Sequence, residues 1–386
     1  MITMFNVFTN KIDDPDIAIE KITEQLKNKK LLKNTVGIIA CHYEYVENGV
    51  IDTLSKMLPF ELIGCVVQGS AINGNGGLEQ LSLTVLTSDD ITFTSAISEP
   101  IFPENVDTAM ENVYAEAAKS GNDPSFIFVL GPITTDVSGS MILKKIIQMS
   151  DNKIPVFGTL SNDTALQYEY SYVFRNDEYH VRKLILLFLH GNFQPRFYTT
   201  SVATRNIQQQ NAVVTDSVGY LVKKINNLSV LEYFQTIGVQ ASELAAVSML
   251  PFLVDFGDGT IPAAYSMYGI SEQGAYCGGE IPVGSLIAFA EIDYNSVMET
   301  AENALHQAFE DIEKNGANGM IAIPCFTRSL IILPNMEDEI KKSIEIVGNR
   351  IPFSLIYSGG EICPTYNKQH EIVNRFHNLT YTIMVF

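Results

Sequence analysis

Positive charge, long apolar runs and recognisable catalytic motifs are all scarce in this 386-residue sequence, and each shortage removes a class of function. Lysine and arginine number 25 against 44 aspartates and glutamates, for a formal net charge of −19. Such a chain repels phosphate backbones and anionic headgroups and has no basic stripe, which disfavours nucleic acid as a partner. The longest apolar stretches, such as Leu184–Leu189, fall far short of the roughly 20 residues that span a bilayer. The start of the chain, Met1–Phe8, lacks a basic leader region, so no membrane insertion and a cytoplasmic location are expected. Cysteine is sparse too. Cys41, Cys65, Cys277, Cys325 and Cys363 are odd in number, widely spaced and set mostly in apolar strands, as reduced thiols are. No CxxC pair exists, and neither a metal nor a cofactor is expected, although Cys41-His42 or the trio Cys363, His370 and His377 could approach a metal after folding. HExxH, GxxxxGK[ST], a nucleophile elbow and a strand-linked GxGxxG are all missing; the glycines of Asn73–Gly77 precede a strand and read as a hairpin loop.

What is present is a large apolar fraction, 46%, enough for the cores of two or three domains. Residues 1–33 read as an N-terminal helical segment, with Ile19, Ile22 and Leu26 on one face of a helix over Ile12–Lys33. A strand, helix, strand, return-strand pattern then occurs three times. The first copy is Val36–His42, Val50–Leu58, Glu61–Val67 and Leu81–Leu86. The second is Phe126–Gly131, Ser140–Met149, Pro155–Gly158 and Lys183–Leu189, with a further strand near Tyr170–Phe174. The third is Met320–Cys325, Glu337–Val347, Pro352–Tyr357 and Thr380–Phe386. In each copy the second strand runs into small residues: Gln68-Gly69-Ser70, Thr159–Asp163 and Ser358–Glu361.

A strand-helix-strand crossover makes a parallel pair, and the return strand is antiparallel, so the expected fold is mixed α/β (α+β). Mixed parallel and antiparallel sheets are covered by helices, in quasi-repeated units. Between the second and third copies lies a β-rich middle region that includes Phe197–Thr204, Ala212–Val214, Phe252–Phe256 and Ser285–Ala290. Val218–Lys224 fits helical and strand periods alike, and a helix over Asn295–Lys314 stops at Gly316.

These segments resemble the FIST family. Leu62–Ser70 is similar to that family's Ile-Gly-Cys strand and small-residue turn, and Val156–Asp163 to its Gly-x-x-x-x-Asp segment. Val213–Asn227 through Val230–Phe234 looks like the connector between its two domains. Pro352–Pro364 and Phe376–Thr380 follow the closing Gly-Glu-Ile-x-Pro and His-Asn-x-Thr pattern, with Cys325 and Arg328 at its Cys-x-x-Arg. Leu355 and Thr159-Leu160 depart from the family's small residues. The resemblance implies a FIST_N-like domain over 34–232 and a FIST_C-like domain over 233–386. It also implies a sensory, non-enzymatic protein that recognises a small metabolite such as an amino acid or derivative. The output would pass to a separate signalling protein, a histidine kinase or a chemoreceptor.

Binding groups in α/β architectures gather at the carboxyl ends of strands. That rule selects Cys41, Asp163, Cys325, Arg328, Gly359, Gly360, Glu361, His377 and Asn378 as candidate ligand-binding residues. Gly359 and Gly360 permit positive φ and close approach. Glu361 could meet a ligand ammonium while Arg328 grips a carboxylate as a fork, or the two could pair with each other. His377 and Asn378 could instead fix the glycine turn, and Asp163 could cap a loop. Two rival functions stay open: a thiol acyl-transfer or hydrolytic enzyme using Cys325 or Cys363 with His377, and a scaffold that binds only protein.

Overall fold

In the computed structural model, which describes residues 1–120, 123–163, 168–203, 205, 207–238 and 250–386, the chain forms a mixed α/β fold of three six-stranded sheets and one eight-stranded sheet. Each six-stranded sheet has the same internal plan. The first runs in spatial order Thr3–Thr9, Leu81–Ser88, Asn34–Cys41, Glu61–Val66, Val173–Arg175, Glu178–His180. The second runs Thr92–Ile97, Ile185–His190, Phe126–Gly131, Val156–Leu160, Glu361–Tyr366, Ile372–His377, and the third Arg196–Thr200, Tyr381–Val385, Met320–Pro324, Phe353–Ile356, Ser70–Ile72, Asn75–Gly77. In all three the two central strands are parallel and every other pairing is antiparallel.

The last two strands of each sheet are a hairpin donated by another unit. The first unit gives Ser70–Gly77 to the third sheet, the third gives Glu361–His377 to the second, and the second gives Val173–His180 to the first. The exchange is therefore cyclic. Three equivalent backbone bonds follow it round: Val66 N–H to the Tyr172 carbonyl (2.8 Å), Leu160 N–H to Gly360 (2.9 Å) and Tyr357 N–H to Gly69 (3.0 Å).

Each unit carries one helix before its first parallel strand, at Pro15–Leu26, Val106–Ala117 and Tyr294–Asn315, and further helix between its parallel strands. Local chemistry sets their ends. Asp14 accepts from Ile17 N–H (3.1 Å) with Pro15 at the first helical position, and Gly316, at φ 70°, stops the long helix that Asp293 caps. One face of each sheet packs on its own helices. The other face meets the other two sheets in a shared core that includes Ile38, Ile63, Phe128, Phe157, Ile323 and Met384. Burial on both faces explains the unbroken apolar strands of the sequence. Each fully buried phenylalanine contributes roughly 1.5–3 kcal/mol.

Several elements differ from the sequence expectation. The N-terminal segment is not all helical: Thr3–Thr9 is a strand, buried by pairing with Leu81–Ser88, and the helix is confined to Pro15–Leu26. Val106–Ala117 is a helix that the repeated pattern did not mark. Val218–Lys224 resolves as a turn at Gly219 (φ 58°) and the strand Leu221–Ile225. The strand expected over Phe197–Thr204 covers Arg196–Thr200, and Thr204 lies outside the described residues. The β-rich middle is the eight-stranded sheet, inserted in the third unit between Arg196–Thr200 and Tyr294–Asn315.

Candidate functional site

The small-residue segments that follow the second strand of each unit meet one another. Val67, Ser161 and Ser358 are equivalent, each N–H bonding back to its unit's first strand at Cys41, Gly131 and Pro324 (2.8–2.9 Å). The next residues, Gln68, Asn162 and Gly359, face across the seams. Gln68 N–H donates to Asn162 Oδ1 (2.7 Å), Asn162 N–H to the Val66 carbonyl (3.0 Å) and Gly359 N–H to Leu160 (2.9 Å). The glycines serve close approach, as expected, but neither Gly359 nor Gly360 has the positive φ also expected of them. A Cβ at Gly359 would lie 2.5 Å from the Ser161 carbonyl, and one at Gly360 would lie 2.6 Å from Phe376 Cζ.

Over this junction opens a crevice with two lobes of about 430 and 290 Å³, which share Ile133, Tyr168, Tyr268 and Gly359. The larger lobe runs between the start of the helix Gly139–Met149 and the inserted sheet, with Tyr220, Tyr276 and Phe376 as its walls. The smaller reaches Asn162, Thr327, Ser358 and one side of the short helix Phe326–Ile331. Tyr268 spans the mouth: it is 61% exposed, yet its hydroxyl reaches within 3.1 Å of the space beside Gly278. No described residue lining either lobe is Asp, Glu, Lys, Arg or His.

Glu361 lies beneath, fully buried. Its Oε2 accepts from Thr380 N–H (3.3 Å), and Oε1 has no hydrogen-bond partner. Burial pushes its carboxyl well above the carboxylate range, a push only eased by the adjacent Cys325 thiol, the Thr380 amide and the charge of Arg328. That push favours the protonated, donor form of the carboxyl over the carboxylate. Further polar atoms are buried without partners at the same junction: Asn162 Nδ2, Gln68 Nε2, Asp163 Oδ1 and Asn378 Oδ1. Such orphans are costly unless something binds them.

The other expected residues fall into two groups. Asp163 is held near the crevice, its Oδ2 accepting from Tyr170 N–H (2.9 Å), and Asn378 lies against Gly278 of the inserted sheet. Arg328 and Cys41 leave the site. Arg328 has no exposed surface and pairs with Glu339 (2.6 Å), not with Glu361, while its remaining donors bind the carbonyls of Val297 and Leu379 and the Thr300 hydroxyl. Burial alone would lower its pKa, but Glu339 outweighs that and raises it. No donor is left for a ligand carboxylate. Cys41 is a core residue between the first sheet and its helices.

The thiol and imidazole of the rival enzyme reading are not brought together. Burial, reinforced by Glu361, raises the Cys325 thiol, and burial likewise raises Cys363. Nε2 of His377 lies 3.1 Å from the Cys363 carbonyl, and burial lowers the imidazole to about 3. Among the described residues no group of three His, Cys, Asp or Glu is placed to hold a metal ion, and no helix is long and apolar enough to cross a membrane. Sequence reasoning missed the tyrosines. Asn162 and Ser358 sat inside segments it had singled out, but Tyr220, Tyr268 and Tyr276 come from the inserted sheet, where no motif marks them.

Fold and crevice define the class: an internally repeated α/β protein with a cleft of small-molecule size where its units meet. The sequence profile of the FIST N domain matches residues 35–228 and that of the FIST C domain residues 228–364. The chain belongs to the FIST family, whose domains are sensory domains of signal transduction. Comparison with curated proteins finds no match. A solved structure described as the crystal structure of cyanuic acid hydrolase from A. caulinodans is similar at 10% identity and a TM-score of 0.36, over 100% of this chain and 98% of that one. A likeness that distant bears on neither fold nor activity.

Proposed function

We propose that this chain is a sensory receptor whose crevice binds a small amino-acid derivative with its carboxylate blocked, as in an amide, and reports occupancy to a separate signalling protein. The observation that carries this reading is a lining without charged side chains, with the unpartnered Asn162 Nδ2 in its smaller lobe. Aromatic walls suit an apolar side chain. Asn162 lines the smaller lobe with its Nδ2 unpartnered, a donor suited to the C=O of an amide. A free zwitterion fits less well, since Arg328 is fully engaged with Glu339 and its neighbours. Gly359 lines both lobes, Gly360 packs against Phe376, Cys325 supports Glu361, and His377 anchors the hairpin that carries it.

The test is a thermal-shift panel that sets free amino acids against their amides, because a ligand of the native state raises Tm by mass action. An amide with an apolar side chain should raise Tm where the parent acid does not, and Asn162→Ala or Tyr268→Ala should abolish the shift in a folded protein. A free amino acid that binds equally well, or full binding by both variants, would remove this assignment.

A further inference from the structure

Outside the crevice, a ladder of tyrosines crosses the seam between the first and second units. Tyr43 stacks on Tyr170 with ring centroids 4.6 Å apart; Tyr170 meets Tyr172 edge-on at 6.4 Å, and Tyr172 meets Tyr179 at 5.2 Å. Tyr43, Tyr170 and Tyr172 are half-buried and Tyr179 is 44% exposed, so the ladder reaches solvent. Its rim is acidic. Glu44 lies beside the Tyr43 hydroxyl and Glu47 beside that of Tyr172, with Asp163 near Tyr43 as well. His42 packs on Tyr43 with ring centroids 4.5 Å apart and burial lowers its pKa, while Arg175 is paired with Glu61 (2.7 Å) and Lys183 with Glu178.

Elsewhere the protein covers aromatic rings with its own cations: Lys29 over Phe5, Arg182 over Phe102, Arg350 over Phe309 and Arg375 over Phe256. Among the described residues, no lysine or arginine covers a ring of the ladder. Partly exposed tyrosine rings rimmed by carboxylates, on a chain of net charge −19, complement an external cation.

We infer that this ladder is a docking surface for a basic, arginine-containing segment of a protein partner. Its position joins it to the crevice. Tyr168, two residues before Tyr170, lines both lobes, and the buried Asp163 accepts from Tyr170 N–H. The inference stands on the ladder alone and survives if the amide-ligand reading fails.

Fluorescence anisotropy with a labelled peptide of alternating arginine and glycine, run on the full chain at physiological ionic strength, tests it. The peptide should bind, and its citrulline-glycine counterpart, equal in shape but uncharged, should not. Tyr43→Leu with Tyr172→Leu leaves net charge unchanged and should weaken binding about five-fold or more, as expected for two exposed cation–π contacts. If that double variant fails to melt cooperatively, the exposed Tyr179→Leu and Glu47→Gln replace it, each with an expected loss of about two-fold. Equal binding by wild type and folded ring variants would mean bare charge attraction and would overturn the inference, as would equal binding of the citrulline peptide.

Discussion

Glu361 and His377 face each other across the last hairpin, and burial pushes them toward neutrality from opposite directions. For Glu361 the folded pKa is raised, so its contribution to stability is fully present below the unfolded value of 4.5 and is lost as pH rises toward the folded value. For His377 the folded pKa is lowered to about 3, so its contribution is present above the unfolded 6.5 and is lost as pH falls through that window, by about 1.4 kcal/mol per pH unit. Denaturant titrations should therefore find Glu361→Gln gaining on wild type as pH rises above 4.5, and His377→Gln gaining as pH falls below 6.5; a pH-independent difference in either case would refute the direction of the shift. Arg328→Ala strands Glu339 in the core and should cost about 3–5 kcal/mol. Loss of less than about 1 kcal/mol by the same titration would show that the pair is not structural. Glu361, Gly359 and Asp163 were legible as strand-end residues. The partner of Arg328 was not, because Glu339 approaches it on a separate helix.

At the scale of elements, the parallel strands of the first two sheets come so close that a side chain is excluded at equivalent places. A Cβ at Gly64 would sit 2.5 Å from the Ile39 carbonyl, and one at Gly158 would sit 2.1 Å from that of Val129. In the third sheet the equivalent residue is Leu355, whose register partner is Ala322. Gly158→Ala meets backbone that cannot give way, and its cost should reach or exceed the upper end of about 1–3 kcal/mol for overpacking; a thermal melt within a degree of wild type would contradict the register. The repeated strand and helix pattern was visible because doubly buried strands are continuous apolar runs. The donated hairpins were not, since strands as short as Ser70–Ile72 and Val173–Arg175 take their place from partners in another unit.

Cyclic hairpin exchange ties the whole molecule together. The third sheet is completed by Ser70–Gly77 and the second by Glu361–His377, so a cut after residue 232 removes strands from two sheets at once. Fragments 1–232 and 233–386 should each lack cooperative unfolding in near-UV circular dichroism and should recover it on mixing; a cooperative transition in either alone would show that the exchange is dispensable. The sequence by itself determined the mixed α/β class, the three strand-helix-strand units and the family, because each rests on local periodicity and on residues adjacent in the chain. Only the tertiary structure decided that the units interlock in a ring, that Arg328 belongs to Glu339, and that tyrosines of the inserted sheet wall the crevice. Those outcomes depend on which surfaces meet across more than a hundred residues, a choice made by burial and close packing that no short segment encodes.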